Sequence, residues 1–297
     1  MTTLAPKTFT GVIWILSARA PKIFKIPSFV IQNVRPSAIV PTNSETPQRV
    51  HDFSRFLIKR FMKHHSKKRS KLGERLMSKS KLKVKGILFD LDGTLVDSKE
   101  AYLEAAKTAF QTLGQKPPEK QTALEIPRRL EQNLPITDIV NCNITDFLNV
   151  YLKTYYAVTK EKTKPFPNVE TTLAQLAQRM KLALITMRFV PKTQIITELE
   201  QFRLAKYFSH IVTALDTHKP KPSPEALIKT VKALDINMCD CIIIGDSITD
   251  IKAGKAAGAK TVAVLSGLFS RDELALENPD LILNDVTQLP NHVDYIG

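Results

Sequence analysis

Two pairs of aspartates stand just after short apolar runs of this 297-residue chain. Asp90 and Asp92 belong to the segment Asp-Leu-Asp-Gly-Thr, and Asp246 and Asp250 belong to the segment Gly-Asp-Ser-Ile-Thr-Asp. A carboxylate can act as a nucleophile or exchange a proton with a substrate. Clustered carboxylates repel one another unless a cation lies between them, and a set of oxygen ligands favours magnesium. If the two segments meet, they form a Mg²⁺ site beside reactive carboxylates.

A hydroxyl group and ammonium groups accompany these acids. Thr186 ends another apolar run, and Lys219 and Lys221 lie in the segment Lys-Pro-Lys-Pro-Ser-Pro. Such groups can stabilise the oxygens of a transferring anionic group, and either lysine fits that role by its position. Taken alone, each segment has a simpler interpretation as a calcium-type loop, a turn, a strand end, a surface lysine or a helix N-cap. Only the combination, in this order, points to a site.

The elements that must position these residues begin near residue 84, where apolar runs start to alternate with amphipathic segments. Six runs are predicted strands: 84–89, 182–185, 211–213, 241–244, 261–265 and 281–283. Four segments are predicted helices: 169–180, 191–201, 224–234 and 248–257, the third with Ser223 as N-cap and Pro224 at its first position. Continuous apolar strands are typical of a parallel sheet covered on both faces. The pattern predicts a doubly wound, Rossmann-like α/β sheet whose strand ends share one edge.

A helical insertion interrupts this alternation directly after the first strand. Residues 98–164 show helical patterning, clearest at 101–113 and 144–156, and contain no convincing strand. We call residues 98–164 the cap, because an insertion at this place lies over the strand ends and can act as a lid. The predicted division is a basic extension at 1–80, a core at 81–97 and 165–297, and the cap between the two core segments.

The net charge of +14 belongs to the N-terminal part of the chain. Residues 1–85 contain 19 Lys and Arg against 3 acids, which leaves 24 basic and 26 acidic residues for the rest. The core therefore has no basic surplus to favour nucleic acid. No apolar run approaches the roughly 20 residues of a membrane span. Three cysteines without disulfide or zinc spacing fit a reducing, cytoplasmic location.

The extension itself leaves three interpretations open. Prolines recur in residues 1–80 without a sustained period, so most of this segment is predicted to be disordered. Residues 1–44 contain no acid and resemble an organellar transit peptide, which would give an organellar location instead. The Lys and Arg cluster near residue 67 could contact nucleic acid or an anionic membrane. The favoured interpretation is that translation begins at Met77, so that the upstream residues are not part of the protein.

In their order and positions, the four polar segments resemble the four motifs of the haloacid dehalogenase-like superfamily of hydrolases. The resemblance covers about residues 84–290 and is closest to the phosphoglycolate phosphatase-like branch, which carries a helical cap. It implies a Mg²⁺-dependent phosphatase that forms an aspartyl-phosphate intermediate. Asp90 matches the nucleophile, and Asp92 matches the general acid and base, whose backbone carbonyl also binds the metal. The presence of Asp92 favours phosphoryl chemistry over dehalogenation.

The remaining motif positions follow from the same resemblance. Thr186 and Lys221 would hold the phosphoryl oxygens, with Lys219 as the alternative lysine. Asp246 would complete the metal site, with Asp250 as a ligand or a neighbour of the ligands. Met187 departs from the family pattern, because many relatives have Asn or another small polar residue there; this leaves one expected polar contact with the substrate in doubt.

The cap is expected to select the substrate. Arg128 and Arg129 could receive an acidic substrate such as phosphoglycolate, or they could be solvated helix charges. The expected partner is a small phosphorylated metabolite, with no nucleic acid or membrane for the core, and the chain is expected to be a monomer or homodimer. A pyrophosphatase, a sugar phosphomutase (which would typically show Glu-Asp in place of Gly-Asp at the fourth motif) and a non-catalytic binding relative are the alternatives.

Overall fold

A six-stranded parallel sheet forms the centre of the structure, a computed structural model that describes residues 81–296. The predictions on residues 1–80, including disorder, a transit peptide and a start at Met77, lie outside the described residues. The strands are β1 (Leu82–Val84), β2 (Gly86–Phe89), β3 (Val96–Asp97), β4 (Lys164–Pro165), β5 (Lys181–Ile185), β6 (His210–Val212), β7 (Cys241–Gly245), β8 (Lys260–Val264), β9 (Leu281–Leu283) and β10 (Val293–Tyr295). The sheet order is β6-β5-β2-β7-β8-β9.

Helices connect these strands, and those that follow the cap cover both faces of the sheet. They are α1 (Lys99–Thr112), α2 (Lys120–Glu131), α3 (Ile144–Lys162), α4 (Val169–Ala177), α5 (Lys192–Gln201), α6 (Glu225–Leu234), α7 (Ile248–Ala257) and α8 (Arg271–Leu276). Ile87 and Phe89 of β2 are fully buried in one apolar cluster, whereas Leu88 between them is buried in another on the opposite face. Because successive strand side chains point to opposite faces, this division confirms the predicted doubly wound sheet.

The strand register brings the predicted site segments to one edge. Phe89 of β2 pairs with Leu184 of β5 on one side and with Ile244 of β7 on the other. The three strands are parallel, so the residues that follow these positions leave the sheet side by side. The backbone N–H of Asp90 donates to the carbonyl of Ile244 at 2.9 Å, which extends the ladder to the first site residue.

The cap has its own apolar core. The cap consists of α1, α2 and α3 between β3 and β4. The strands β3 and β4 pair antiparallel at the base of the cap. Phe110, Phe147 and Tyr151 pack in a cluster that contains only cap residues. The sequence pattern indicated α1 and α3, whereas it did not distinguish α2 as a separate helix, because Pro127 and two arginines interrupt the apolar pattern there.

Two local predictions are wrong. The run 84–89 is two strands, because Lys85 leaves the ladder: β1 pairs with β10, and the N–H of Lys85 donates to the carbonyl of Asp240 at 2.7 Å. The third predicted helix begins one residue late, with Pro224 as its N-cap, although the hydroxyl of Ser223 still accepts from the N–H of Glu225 at 3.3 Å. Within residues 81–296, no helix is both long and apolar enough to cross a membrane.

Candidate active site

Three buried carboxylates meet at the carboxyl edge of the sheet. Asp90 follows β2, Asp246 follows β7, and Asp250 lies in the first turn of α7. One oxygen of each lies within 4.8 Å of the others. The sequence patterns placed these acids at strand ends, and the structure brings them together.

Glycine makes this close approach possible. Gly93 has a φ of +83°, in the left-handed region that side chains rarely adopt. A Cβ atom at this position would stand 2.5 Å from an oxygen of Asp246. The positive φ and the close approach of Asp246 therefore both require glycine at this turn. The turn also brings the hydroxyl of Thr94 to Asp246 at 3.1 Å.

A buried lysine joins the acids. The ammonium group of Lys221 donates to Asp90 at 2.6 Å and to Asp250 at 2.5 Å, and the residue is 2% exposed. The side chain of Lys219 is exposed, and its backbone N–H donates to Glu225 instead. The structure thus brings Lys221 into the site and leaves Lys219 at the surface.

Asp250 contacts the start of α7 as well as Lys221. Its other oxygen accepts from the hydroxyl and N–H of Ser247, which forms a capping box at the start of α7. The simple interpretation of Gly-Asp-Ser as a helix N-cap is therefore also correct, because Ser247 is that cap. Since one oxygen fixes the helix and the other fixes the lysine, Asp250 is suited to orient Lys221.

Burial governs the pKa of Asp90 and of Asp246. It raises the pKa of Asp90 well above its ordinary value, with a contribution from Asp250 and Asp246 and against the effect of Lys221. Burial likewise raises the pKa of Asp246, aided by Glu131 and Asp250. A bound divalent cation would offset this repulsion, and the oxygen-only donor set of Asp90, Asp246 and Asp250 fits one.

Asp92 points towards the cap and is paired with Arg188, an arginine that no sequence motif indicated. Nε and Nη2 of Arg188 donate to the two oxygens of Asp92 at 2.8 and 2.6 Å. Tyr155 donates to the same carboxylate at 2.9 Å, and Ser98 donates to it as well. Burial alone would raise the pKa of Asp92, but Arg188 and these hydroxyl donors hold it below its ordinary value.

Arg188 is held in place by a further buried acid. Its Nη1 donates to Glu198 of α5 at 2.6 Å, and Glu198 also accepts from the hydroxyl of Thr163 at 2.9 Å. The backbone N–H of Arg188 donates to the hydroxyl of Thr186 at 3.2 Å, so Thr186 stands beside this network at the end of β5. The only sequence signal for Arg188 was its position two residues beyond Thr186, in a loop that leaves the same sheet edge.

The cap contributes Glu131, which the sequence patterns also failed to indicate. It ends α2 and accepts from the hydroxyl of Thr249 in α7 at 2.7 Å. Burial raises its pKa, and the charge of Asp250 adds to this effect. A cap carboxylate thus lies beside the acids of the core.

Arg128 and Arg129 are not brought to the carboxylates. Arg128 pairs with Glu125 at 2.6 Å and with Glu273 of the core, and its guanidinium lies 4.8 Å from the ring centre of Phe269. Arg129 pairs with Asp138 at 2.5 Å. The geometry gives Arg128 a part in docking the cap on the core, and it offers no support for a substrate contact by either side chain.

A cavity of about 140 Å³ lies between the cap and these residues. Asp90, Asp92, Glu131 and Arg188 supply its charged wall. The other lining residues are apolar or aromatic: Pro127, Leu130, Leu148, Leu152, Met187, Phe189 and the tyrosines 102, 151, 155 and 156. The cavity gives a bound molecule access to both aspartates of the first motif.

A doubly wound sheet with carboxylates at the strand ends and a helical cap over them defines a capped, Rossmann-like α/β protein. The chain belongs to the haloacid dehalogenase-like hydrolase family, whose model matches residues 87–264. A phosphoglycolate phosphatase of Psychrobacter arcticus is 31% identical over 227 residues, which are 71% of this chain and 94% of that protein. The pyrophosphatase PpaX of Halalkalibacterium halodurans is 28% identical, over 73% of this chain and 98% of that protein.

Solved structures share the same fold. A haloacid dehalogenase-like family hydrolase of Streptococcus pneumoniae aligns with a TM-score of 0.60 over 70% of this chain and 97% of that one, at 21% identity. The described core and cap therefore have the architecture of this enzyme family.

Proposed function

We propose that this protein is a Mg²⁺-dependent phosphomonoester hydrolase that acts on a small phosphorylated metabolite through an aspartyl-phosphate intermediate. The observation that carries the proposal is the position of Asp90. Its carboxylate lines the cavity, contacts the ammonium group of Lys221 at 2.6 Å and lies within 4.8 Å of two further buried acids. A nucleophile, a cation for the phosphoryl oxygens and a metal-type donor set thus converge on one point.

In the proposed first step, an oxygen of Asp90 attacks the phosphorus atom, and the bond from phosphorus to the leaving oxygen breaks. Lys221 and Thr186 would hold the phosphoryl oxygens, because both stand at the same sheet edge as Asp90. A Mg²⁺ ion bound by Asp90, Asp246 and the carbonyl of Asp92, with Asp250 as a ligand or a neighbour of the ligands, would supply positive charge that offsets the repulsion between the nucleophile and the phosphate.

Asp92 would transfer the protons. It would protonate the leaving oxygen in the first step and take a proton from the water that hydrolyses the aspartyl-phosphate in the second. In this structure its carboxylate is paired with Arg188 on both oxygens, which favours the ionised form. That form is the one needed to accept the proton from water in the second step, and the proton gained there is the one that Asp92 would give to the leaving oxygen of the next substrate.

The substrate is proposed from the relatives. The resemblance and the named relatives favour phosphoglycolate, with pyrophosphate as the alternative. A cytoplasmic location remains a prediction from the cysteine pattern, a small-molecule partner remains one from the resemblance, and a core without nucleic acid remains one from the charge pattern.

The direct test is phosphate release by the full-length chain. We expect release from at least one of acetyl phosphate, phosphoglycolate, pyrophosphate, sugar phosphates and nucleotides when Mg²⁺ is present. EDTA should abolish it and excess Mg²⁺ should restore it. A folded protein that releases no phosphate from this panel would contradict the proposed hydrolysis, and activity only with a sugar bisphosphate activator would indicate a phosphomutase.

Binding of Mg²⁺ is expected to raise the thermal midpoint of metal-stripped protein, more at pH 8 than at pH 5. The pKa values of Asp90 and Asp246 are raised in the folded protein. Without metal, the contribution of these two groups to the free energy of unfolding is therefore complete below their ordinary pKa of about 4. It is lost as the pH rises through the raised pKa values. The ion binds the ionised forms, so protons compete with it at low pH. At a Mg²⁺ concentration of about 100 times Kd, binding adds about 2.7 kcal/mol to the free energy of unfolding. This raises the thermal midpoint by roughly 5–10 °C.

Two variants separate this effect from non-specific salt stabilisation. Asp246→Asn should lose most of the Mg²⁺-induced shift, whereas Asp294→Asn at the exposed end of β10 should keep it. Equal shifts in both variants, or a larger shift at pH 5, would show that the ion does not bind at this cluster.

A further inference from the structure

We infer that Glu198 is a positioning residue: it orients Arg188, and Arg188 in turn orients the carboxylate of Asp92 for proton transfer. This inference rests on the proposed function, in which Asp92 exchanges protons with the leaving oxygen and with water. It follows from the hydrogen bonds of the three side chains, their burial and their charges.

Arg188 fixes the plane of the Asp92 carboxylate. Its Nε donates to Oδ2 at 2.8 Å, and its Nη2 donates to Oδ1 at 2.6 Å. The hydroxyl groups of Tyr155 and Ser98 both donate to Oδ1. Of these donors, Arg188 alone holds both oxygens, and a two-point contact of this kind sets the rotation of a carboxylate as well as its position.

Glu198 fixes the guanidinium of Arg188 in turn. Nη1 of Arg188 donates to Oε2 of Glu198 at 2.6 Å, so one guanidinium joins two carboxylates. Oε1 of Glu198 accepts from the hydroxyl of Thr163 at 2.9 Å, which orients Glu198 as well. Arg188 and Glu198 are 3% and 5% exposed, so the protein rather than water supplies these contacts.

The charges indicate that Glu198 is not needed to neutralise its neighbours. Asp92 and Arg188 already form a pair of opposite charges, and Glu198 adds a second carboxylate to it. Removing a carboxylate from water is costly, and an apolar side chain of similar volume is often at least as stabilising. The direction that Glu198 gives to the guanidinium is a benefit that an apolar side chain would not supply.

The position of Asp92 matters because proton transfer needs hydrogen-bond reach between the two heavy atoms. Asp92 and Arg188 both line the cavity. Without its contact to Glu198, the guanidinium can turn about its side-chain bonds, and the carboxylate that it holds turns with it. A displacement of about 1 Å is enough to lower a rate by about 10²-fold.

Acetyl phosphate separates the two steps in which Asp92 would act. When Asp90 attacks its phosphorus atom, acetate leaves with the bonding electron pair and needs no proton, so this step does not depend on Asp92. In the second step a water oxygen bonds to phosphorus, the bond from phosphorus to Asp90 breaks, and a proton of the water goes to Asp92. Phosphoglycolate, whose leaving alkoxide is basic, needs Asp92 in both steps.

The test applies these substrates to the variant Glu198→Leu, in the full-length chain with Mg²⁺. With ³²P-labelled acetyl phosphate, kcat/KM should stay within about threefold of the wild type, because it reports formation of the aspartyl-phosphate. Decay of the label in a chase with unlabelled acetyl phosphate should slow by at least about tenfold, so that the variant carries more label during turnover than the wild type does. For phosphoglycolate, kcat/KM should fall by at least about tenfold.

Matched variants test the geometry. Glu200→Leu makes the same change on the exposed side of the same helix and should behave as the wild type. Glu198→Gln keeps an acceptor for Nη1 and should keep the decay rate within about fivefold of the wild type. If Glu198→Leu does not fold, Arg188→Lys takes its place: it keeps the positive charge, but an ammonium group lacks the planar fork, so decay of the label should slow in the same way.

The outcomes distinguish the inference from the function on which it rests. If folded Glu198→Leu loses its label at the wild-type rate, Glu198 does not position Asp92, and the proposed function stands. A joint fall of the label and of kcat/KM for both substrates would show a purely structural role and would also overturn the inference. If the wild type is never labelled and releases no phosphate from either substrate, the inference and the proposed function both fail.

Discussion

Asp90→Asn is expected to lower kcat for phosphate release by at least about 10⁴-fold. The change removes the nucleophilic oxygen and keeps the shape of the side chain. Since the carboxylate of Asp90 is buried among other acids, its loss relieves repulsion, and Lys221 keeps its contact with Asp250 at 2.5 Å. The thermal midpoint should therefore stay within about 5 °C of the wild type, so that the loss of activity is not a loss of structure.

The covalent intermediate gives this prediction a second measurement. Rapid acid quench of the wild type during turnover of a ³²P-labelled substrate should trap labelled protein, and hydroxylamine should release the label as expected for an acyl phosphate. Asp90→Asn should trap none, and Asp294→Asn should label as the wild type does. Labelling of the Asp90→Asn variant, or retention of more than about one hundredth of kcat, would assign the nucleophile elsewhere.

Lys221→Met is expected to lower kcat/KM by about 10³-fold and the free energy of unfolding by about 3–5 kcal/mol. The variant removes the positive charge proposed to stabilise the phosphoryl oxygens. It also leaves the carboxylates of Asp90 and Asp250 buried without their shared partner. The loss of stability should be larger at pH 8 than at pH 5, because a proton on either carboxyl group relieves the repulsion between them.

Lys219→Met is the matched control for this prediction. Lys219 lies two residues earlier in the same basic segment, but its side chain is exposed. Denaturant unfolding and activity of this variant should match the wild type, with rates measured well below the unfolding temperature of both proteins. If Lys219→Met lost activity and Lys221→Met kept it, the assignment of the phosphate-binding lysine would be reversed.

Local sequence patterns were sufficient to predict the sheet and the edge at which the candidate site residues meet. Six apolar runs predicted the six strands of the main sheet within a few residues of their observed ends, because strands buried on both faces must be apolar along their whole length. Parallel strands end at one edge, so the aspartates at positions 90 and 246 had to meet there. The cap could be predicted because residues 98–164 show helical periodicity in place of the apolar runs that predict strands.

Which polar side chains face that edge depends on tertiary contacts. Lys219 and Lys221 are equivalent in sequence, and the path of one loop buries the second and exposes the first. On α2, Arg128 and Glu131 lie one turn apart, yet Arg128 contacts Glu273 whereas Glu131 contacts Thr249. Helical periodicity predicts which face is buried and carries no information about the partner that covers it.

Contacts between residues far apart in the chain were likewise not predictable from local sequence patterns. The contact of Arg188 with Asp92 joins residues 96 positions apart, and the hydroxyl of Tyr155 reaches Asp92 only when the cap rests on the core. Such pairs depend on how two apolar cores dock against each other. Local patterns determined the elements and the strand ends of this protein, whereas the docking of the cap determined which residues complete the site.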